Sequence, residues 1–170
     1  MPEIQANTTT FENVLDAISN KGLKVTSPKV GDKFSVGNLE CEIMSCDSEL
    51  AKKENNLNLS SIAIRAVFKE QSYLFMGDCE TENEAARSWP QTNVLKVGHH
   101  GSDTSSSQSF LNQIKPQIAI IQVGKDNSYG HPKQTTLNKL QKMGTIVYRT
   151  DEKKNIKIES DGTNNKVSFY

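Results

Sequence analysis

The sequence predicts an α/β fold of the layered α+β kind, a mixed sheet with helices laid on its outer face. Two observations carry this. Short β-rich segments joined by tight turns fill much of the first half, and apolar strands then alternate with amphipathic helical segments towards the C-terminus. At 170 residues the chain is one domain's worth, long enough to bury roughly two thirds of its surface on folding.

The first element is "TTTFENVLDAISNKG", where Thr9 stands three residues before Glu12 as a capping box and Phe11, Val14, Leu15 and Ile18 share a face before Gly22 ends the helix. Four strands follow: "KFSVG" at 33–37, "LECEIMS" at 39–45, "SIAIRAVF" at 61–68 and "SYLFMG" at 72–77. The turns "GN" and "KEQ" make antiparallel hairpins of them. Between the hairpins, "DSELAKKENNLN" is polar and predicts a surface loop with a helical turn. "CETENEAARS" is an acid-rich helix, and "NVLKVG" is an apolar strand ending at a histidine pair. In "SSSQSFLNQIK", Ser105 and Gln108 form a second capping box, with Phe110, Leu111 and Ile114 facing inward. "PQIAIIQVG" is a fully apolar strand. "KQTTLNKLQKMG" is a helix with Leu137, Leu140 and Met143 inward and Gly144 as its cap. The strands "TIVYRT", "NIKIES" and "KVSFY" complete the order.

Lys plus Arg and Asp plus Glu number 20 each, so no global field draws the chain to nucleic acid or anionic lipid, and a polyanion would have to be gripped locally. Cys41, Cys46 and Cys79 are odd in number and lack metal-type spacing, which predicts buried or free thiols. No run of about eighteen apolar residues exists, and the N-terminus has neither a basic nor an apolar signal region, so the chain as given is expected to be soluble, with its compartment left open.

Three polar clusters follow directly on apolar strands: Asp78 after "LFMG", His99 and His100 after "LKVG", and His131 shortly after "IIQVG". Loops beyond strand carboxyl ends are where ligands gather in such sheets. Carboxylate and imidazole together are the ligand set of a hydrolytic zinc, manganese or iron site. Asp78 has the alternative of capping the acidic helix after it, and His131, beside Pro132, that of an ordinary loop residue. The doubled histidine, with Gly101 and Ser102 behind it, offers a ligand, a second donor and backbone able to approach an anion. "KDNSYGHP" adds Asn127, Tyr129 and His131 as neutral donors suited to orienting a phosphate, or forms an ordinary turn.

Taken in order, "YLFMGD", "VLKVGHHGSDTSSSQSFL", "KPQIAIIQVGKDNSYGHPKQTTLNKL" and "VYRTDEKKNIKI" resemble the C-terminal part of the metallo-β-lactamase-fold hydrolases of the ComEC type, found as the hydrolase domain of the DNA-internalisation competence protein and as stand-alone relatives. The resemblance runs from about Thr9 to the end. It implies a four-layer αββα sandwich with a site for two divalent metal ions, zinc or manganese, between its halves. It implies Asp78 as the bridging carboxylate and one histidine of the pair as a ligand: His99 is assigned to the metal and His100 to the leaving group or phosphate, with the reverse order open. His131 is implied as a substrate-contacting residue beside the site and is grouped with His100 as catalytic, while Ser102, Asn127 and Tyr129 are assigned to substrate binding.

The family's principal metal motif, His-x-(His or Asp)-x-Asp-His, has no counterpart here, and no histidine precedes residue 99. The expectation is therefore a single domain over 1–170 that is the C-terminal part of such a hydrolase, with "MPEI" an internal segment and the N-terminal metal-binding half absent. The parent is expected to be a phosphodiesterase or nuclease of DNA uptake, acting on nucleic acid or another phosphodiester. The chain itself is expected to bind metal weakly or not at all, to be nearly inactive, to carry no membrane segment and to dimerise through exposed sheet. The competing expectations are a non-catalytic nucleic-acid-binding or interaction module, a purely structural fragment, and an acyl or lactone hydrolase.

Overall fold

The computed structural model describes Met1 and residues 8–170. Of the "MPEI" stretch, Pro2, Glu3 and Ile4 lie outside the described residues. Helix α1 spans Thr9–Asn20, and its cap is Thr8 rather than Thr9: the Thr8 hydroxyl accepts from Phe11 N–H at 3.2 Å, which places Thr9 inside the first turn. Its apolar face exists as a pattern but is not covered, for no residue of α1 is buried.

Strands β1 (Lys33–Val36), β2 (Leu39–Ser45), β3 (Ala63–Phe68) and β4 (Gln71–Phe75) form an antiparallel meander. Both predicted hairpins are present, turning at Gly37–Asn38 and at Lys69–Glu70. The polar stretch between them folds into the short helix α2 (Ser48–Lys53), capped by Asp47, and a 3₁₀ turn over Leu57–Ser60. From β4 onward the pairing is parallel through β5 (Val94–Lys96), β6 (Ile118–Ile121) and β7 (Ile146–Arg149), with helices α3 (Thr81–Ala85), α4 (Gln108–Ile114) and α5 (Gln134–Lys142) as the crossovers. The seven strands lie in sequence order in one mixed sheet.

Register decides which face each residue serves. Leu74, Leu95, Ala119 and Val147 form one row, and Tyr73, Val94, Ile118 and Ile146 the next, so the two rows point to opposite faces. On the first face Leu74, Met76, Leu95, Val97, Ala119 and Ile121 form a buried core with Trp89, Phe110, Leu111, Ile114 and Leu140 from the crossovers. The inward assignment of Phe110, Leu111 and Ile114 therefore holds, and Leu137 and Met143 pack against the same core. Trp89 meets Phe110 edge to face at 5.2 Å.

The second face is open over much of its area. A four-residue helix α6 (Thr150–Lys153) leads into β8 (Ile156–Ser160) and β9 (Asn165–Phe169), which form their own two-stranded sheet. This hairpin is tied to β4 by Tyr73 Oη donating to Asn165 Oδ1 (2.7 Å) and by Gln71 Nε2 donating to the Thr163 carbonyl (2.5 Å). Between hairpin and sheet runs an apolar groove of about 830 Å³ lined by Phe75, Val94, Ile120, Ile156 and Ile158.

Two local expectations change. The cap of α4 is Ser107, whose hydroxyl accepts from Phe110 N–H, because the Ser105 hydroxyl is turned inward onto the Gly98 carbonyl at 2.9 Å. The acid-rich helix takes Glu80 as its N-cap, and Glu80, Asn83 and Glu84 are buried. Asp78 therefore does not cap it. The three cysteines are free, as predicted, and burial pushes the Cys79 thiol up to about 12, which makes it inert at neutral pH. Among the described residues no helix is long and apolar enough to cross a membrane.

Candidate functional site

Parallel neighbours β4, β5 and β6 end at the same edge, so the residues that follow them are brought together. Asp78 follows β4 after Gly77, which has φ +57°. Beyond β5 the chain makes a 3₁₀ turn over Gly98–Gly101 in which His99 (φ 44°, ψ 47°) and His100 (φ 53°, ψ 23°) are both left-handed. Two consecutive residues with a Cβ in that region are costly, by roughly 1–2 kcal/mol each. The turn is held from outside: His99 N–H donates to the Gly77 carbonyl at 3.0 Å and Ser102 N–H to the His99 carbonyl at 2.8 Å. Glycine is required on both flanks. A Cβ on Gly98 would stand 2.9 Å from the Cys79 carbonyl oxygen, and one on Gly101 2.7 Å from Cβ of Pro132.

The strained turn sends the two imidazoles different ways. His100 Nδ1 lies 2.6 Å from the Gln122 carbonyl, which only accepts, so Nδ1 carries the proton. Its Nε2 then lies 3.4 Å from Asp78 Oδ1, both side chains being part exposed. In the neutral ring that nitrogen is an acceptor facing another acceptor, an arrangement that a cation between them would satisfy. His99 Nδ1 instead lies 2.9 Å from Glu80 Oε1. The imidazole that faces Asp78 is thus His100, and the one assigned to the metal from sequence, His99, faces Glu80.

Glu80 is the organising acceptor that sequence reasoning missed. It is 6% exposed and receives Asn56 Nδ2 (2.7 Å), Asn58 Nδ2 (3.2 Å) and Thr104 Oγ1 (3.0 Å) as well as His99. Burial pushes its carboxyl up, and the donors Asn58, Asn56 and Thr104 with the nearby His99 outweigh that, leaving it below the usual glutamate value. The signal in the sequence was the asparagine-rich "NNLN" between two hairpins, which supplies amides to a site 22 to 24 residues on. Lys96 was also missed: its Nζ donates to the Gly77 carbonyl at 3.1 Å, and burial lowers its pKa, with Asp78 opposing.

His131 joins the cluster with its ring 5.6 Å from that of His99. Burial, then the charges of His99, Lys133 and His100, push its pKa down, and its Nδ1 is buried with no partner among the described residues. Tyr129 stacks on it at 5.9 Å with 13° between planes. Asn127 serves the loop itself, donating to the Gly124 and His131 carbonyls and accepting from His131 N–H. Ser102 is 3% exposed, its hydroxyl 3.0 Å from Thr104 Oγ1 and its carbonyl accepting from Thr136. Asp78, His99, His100 and His131 are thus brought to one place. Tyr129 borders it, whereas Ser102 and Asn127 are engaged in holding the two loops.

The donor set fits a metal in chemistry and falls short in number. A ring fixed through Nδ1 on a carbonyl, with Nε2 beside a carboxylate, is how histidine ligands are oriented. A catalytic zinc takes about three protein ligands, and among the described residues no group of three or more His, Cys, Asp or Glu is placed to hold an ion.

No family model matches the chain. It is 35% identical over 145 residues to ComE operon protein 3 of Bacillus subtilis (strain 168), a match covering 83% of this chain and 18% of that protein. It is 33% identical over 114 residues to Recombination protein 2 of Haemophilus influenzae, covering 66% of this chain and 14% of the relative. It is 34% identical over 105 residues to Competence protein ComA of Neisseria gonorrhoeae, covering 59% of this chain and 15% of the relative. The chain thus corresponds to less than a fifth of the length of each.

Proposed function

We propose that this chain forms part of a metal-dependent phosphodiester hydrolase acting on DNA in competence, contributing the substrate-facing share of the site and an incomplete share of the metal ligands. The observation that carries the reading is the opposition of His100 Nε2 and Asp78 Oδ1 at 3.4 Å, with Nδ1 of the same ring anchored on Gln122. The similarity to proteins named for competence and recombination favours a nucleic-acid phosphodiester over an acyl or lactone substrate. On this reading His100, rather than His99, is the imidazole ligand beside Asp78.

A divalent cation held there would supply a water of lowered pKa and draw charge from an attacked phosphoryl group. The chain's own residues do the rest. Glu80 fixes His99 through Nδ1, which leaves Nε2 of the neutral ring as an acceptor, available to a cation or to the proton of a water molecule. His131, with its pKa held down, remains neutral near neutral pH and is suited to accept or pass a proton. Two protein donors are too few, so further ligands must come from polypeptide covering the open sheet face. Phe75 and Lys96 are register partners on that face, Phe75 three residues before Asp78 and Lys96 bonded to the carbonyl of Gly77, which precedes Asp78. In the chain by itself, a second copy is the occupant of that face.

Manganese titration followed by NMR tests the metal share, because paramagnetic broadening registers weak binding. Signals of Gly77, Asp78 and His100 should broaden first, and Asp78→Ala or His100→Ala should abolish the effect while His99→Ala only weakens it. Broadening confined to other parts of the surface, or unaltered by Asp78→Ala, would overturn the reading.

A further inference from the structure

We propose that the ring of Tyr129 is a stacking platform for an unpaired base of single-stranded DNA at the edge of the imidazole cluster. This rests on the phosphodiester reading and adds how the strand beside the reacting phosphate is held. Tyr129 is 76% exposed, more than any other large hydrophobic side chain of the described residues. It is not placed at random: its ring lies nearly parallel to His131, and His131 in turn lies 5.6 Å from His99. Three flat rings thus run outward from the site, and the outermost keeps a face to solvent.

The loop that carries this ring is braced. Asn127 spans it, donating to the Gly124 and His131 carbonyls and accepting from His131 N–H at 3.0 Å. Gly130 N–H donates to the Asn127 carbonyl, and Lys133 Nζ to the Tyr129 carbonyl at 3.1 Å. An aromatic ring fixed in advance binds without first losing conformational freedom. It suits a base of any identity, since each presents a π face, and it suits a single strand, because a duplex keeps those faces against one another. The Lys133 ammonium, on the Tyr129 carbonyl, adds a positive charge beside the ring that a neighbouring phosphate would meet.

The test compares three probes at one low salt concentration: a single-stranded oligothymidylate, an abasic sugar-phosphate oligomer of the same length, and a duplex. Each is titrated with wild type, Tyr129→Phe and Tyr129→Ala. Among the described residues the Tyr129 carbonyl accepts from Lys133 and its ring, 76% exposed, meets His131, so the Ala variant should fold normally, which circular dichroism checks. The base-bearing strand should bind wild type about 5- to 150-fold more tightly than the abasic one. Tyr129→Phe should keep that preference and Tyr129→Ala should erase it. Equal affinity for both strands, unchanged in Tyr129→Ala, would overturn the platform and leave phosphate recognition standing. A Phe variant that behaves like Ala would assign the contact to the hydroxyl and overturn it as well. No binding of either strand would overturn both the platform and the reading beneath it.

Discussion

Glu84 brings a carboxylate to a place that water does not reach, 2% exposed, and turns it on two backbone donors, Ser106 N–H at 2.6 Å and Ser107 N–H at 2.8 Å. Ser106 is itself left-handed (φ 55°), and this contact, with that of the Ser105 hydroxyl on the Gly98 carbonyl, holds the loop between the histidine turn and α4. Glu84→Ala leaves the buried Ser106 N–H and the half-buried Ser107 N–H without this acceptor and should cost roughly 1–3 kcal/mol, read as a lower urea midpoint. Burial pushes the Glu84 carboxyl above its ordinary value, with the Ser106 and Ser107 donors and Lys139 opposing only in part. The native chain therefore holds this proton to higher pH than the unfolded chain does. Stability linked to Glu84 is present below the unfolded value of 4.5 and is lost as pH rises from there through the folded value. Glu84→Gln lacks that loss, so its stability relative to wild type should improve between pH 4 and pH 7; a relative decline over the same range would show that the carboxylate is favoured in the fold.

At the scale of elements, the turn over Gly98–Gly101 is where sheet geometry becomes site geometry. Its two left-handed histidines are tolerated because the glycines on either side let Cys79 and Pro132 close in. Gly101→Ala introduces a Cβ at φ +80° and 2.7 Å from Pro132. The expected cost is about 1–3 kcal/mol from crowding, together with separation of the His131 loop from the His99 ring. A fall in thermal midpoint accompanied by loss of nuclear Overhauser contacts between the His99 and His131 rings is the outcome sought; an unchanged midpoint would show that the loops are not pressed together. Such a turn is only partly legible in a sequence. Glycine beside histidine announced a loop at a strand end, and apolar periodicity announced β4 through β7, α4 and α5, because core burial imposes it directly. Caps were less legible. "TTT" and "SSS" each offer three equivalent hydroxyls, and tertiary contacts select among them, as when Gly98 takes the Ser105 hydroxyl and leaves Ser107 to cap α4. Glu80 was hidden for a related reason: its meaning comes from Asn56 and Asn58, which only the fold brings to it.

The molecule as a whole is finished on one side and open on the other. Alternation along β6 shows it most plainly, with Ala119 and Ile121 fully buried under the helices while Ile118 and Ile120 belong to the other face, where Ile120 lines the groove beneath the β8–β9 hairpin. Helix α1 repeats the condition, leaving Val14 and Leu15 exposed at 45% and 40%. Apolar surface of this extent is a place for contact, since burying it returns about 25 cal/mol per Å². The two faces should answer the same substitution in opposite ways. Ala119→Lys puts a charge into the core against Leu95 and should prevent folding. Ile120→Lys, one residue on, keeps its stem over the groove and its ammonium in water, so the stability of the monomer should change by less than about 1 kcal/mol. Sedimentation velocity over a concentration series should then show wild type associating through the open face and Ile120→Lys remaining monomeric. A wild type that stays monomeric throughout would remove the second copy as the occupant of this face. Equal association of the two proteins would move the contact elsewhere, with the α1 stripe the next surface to substitute.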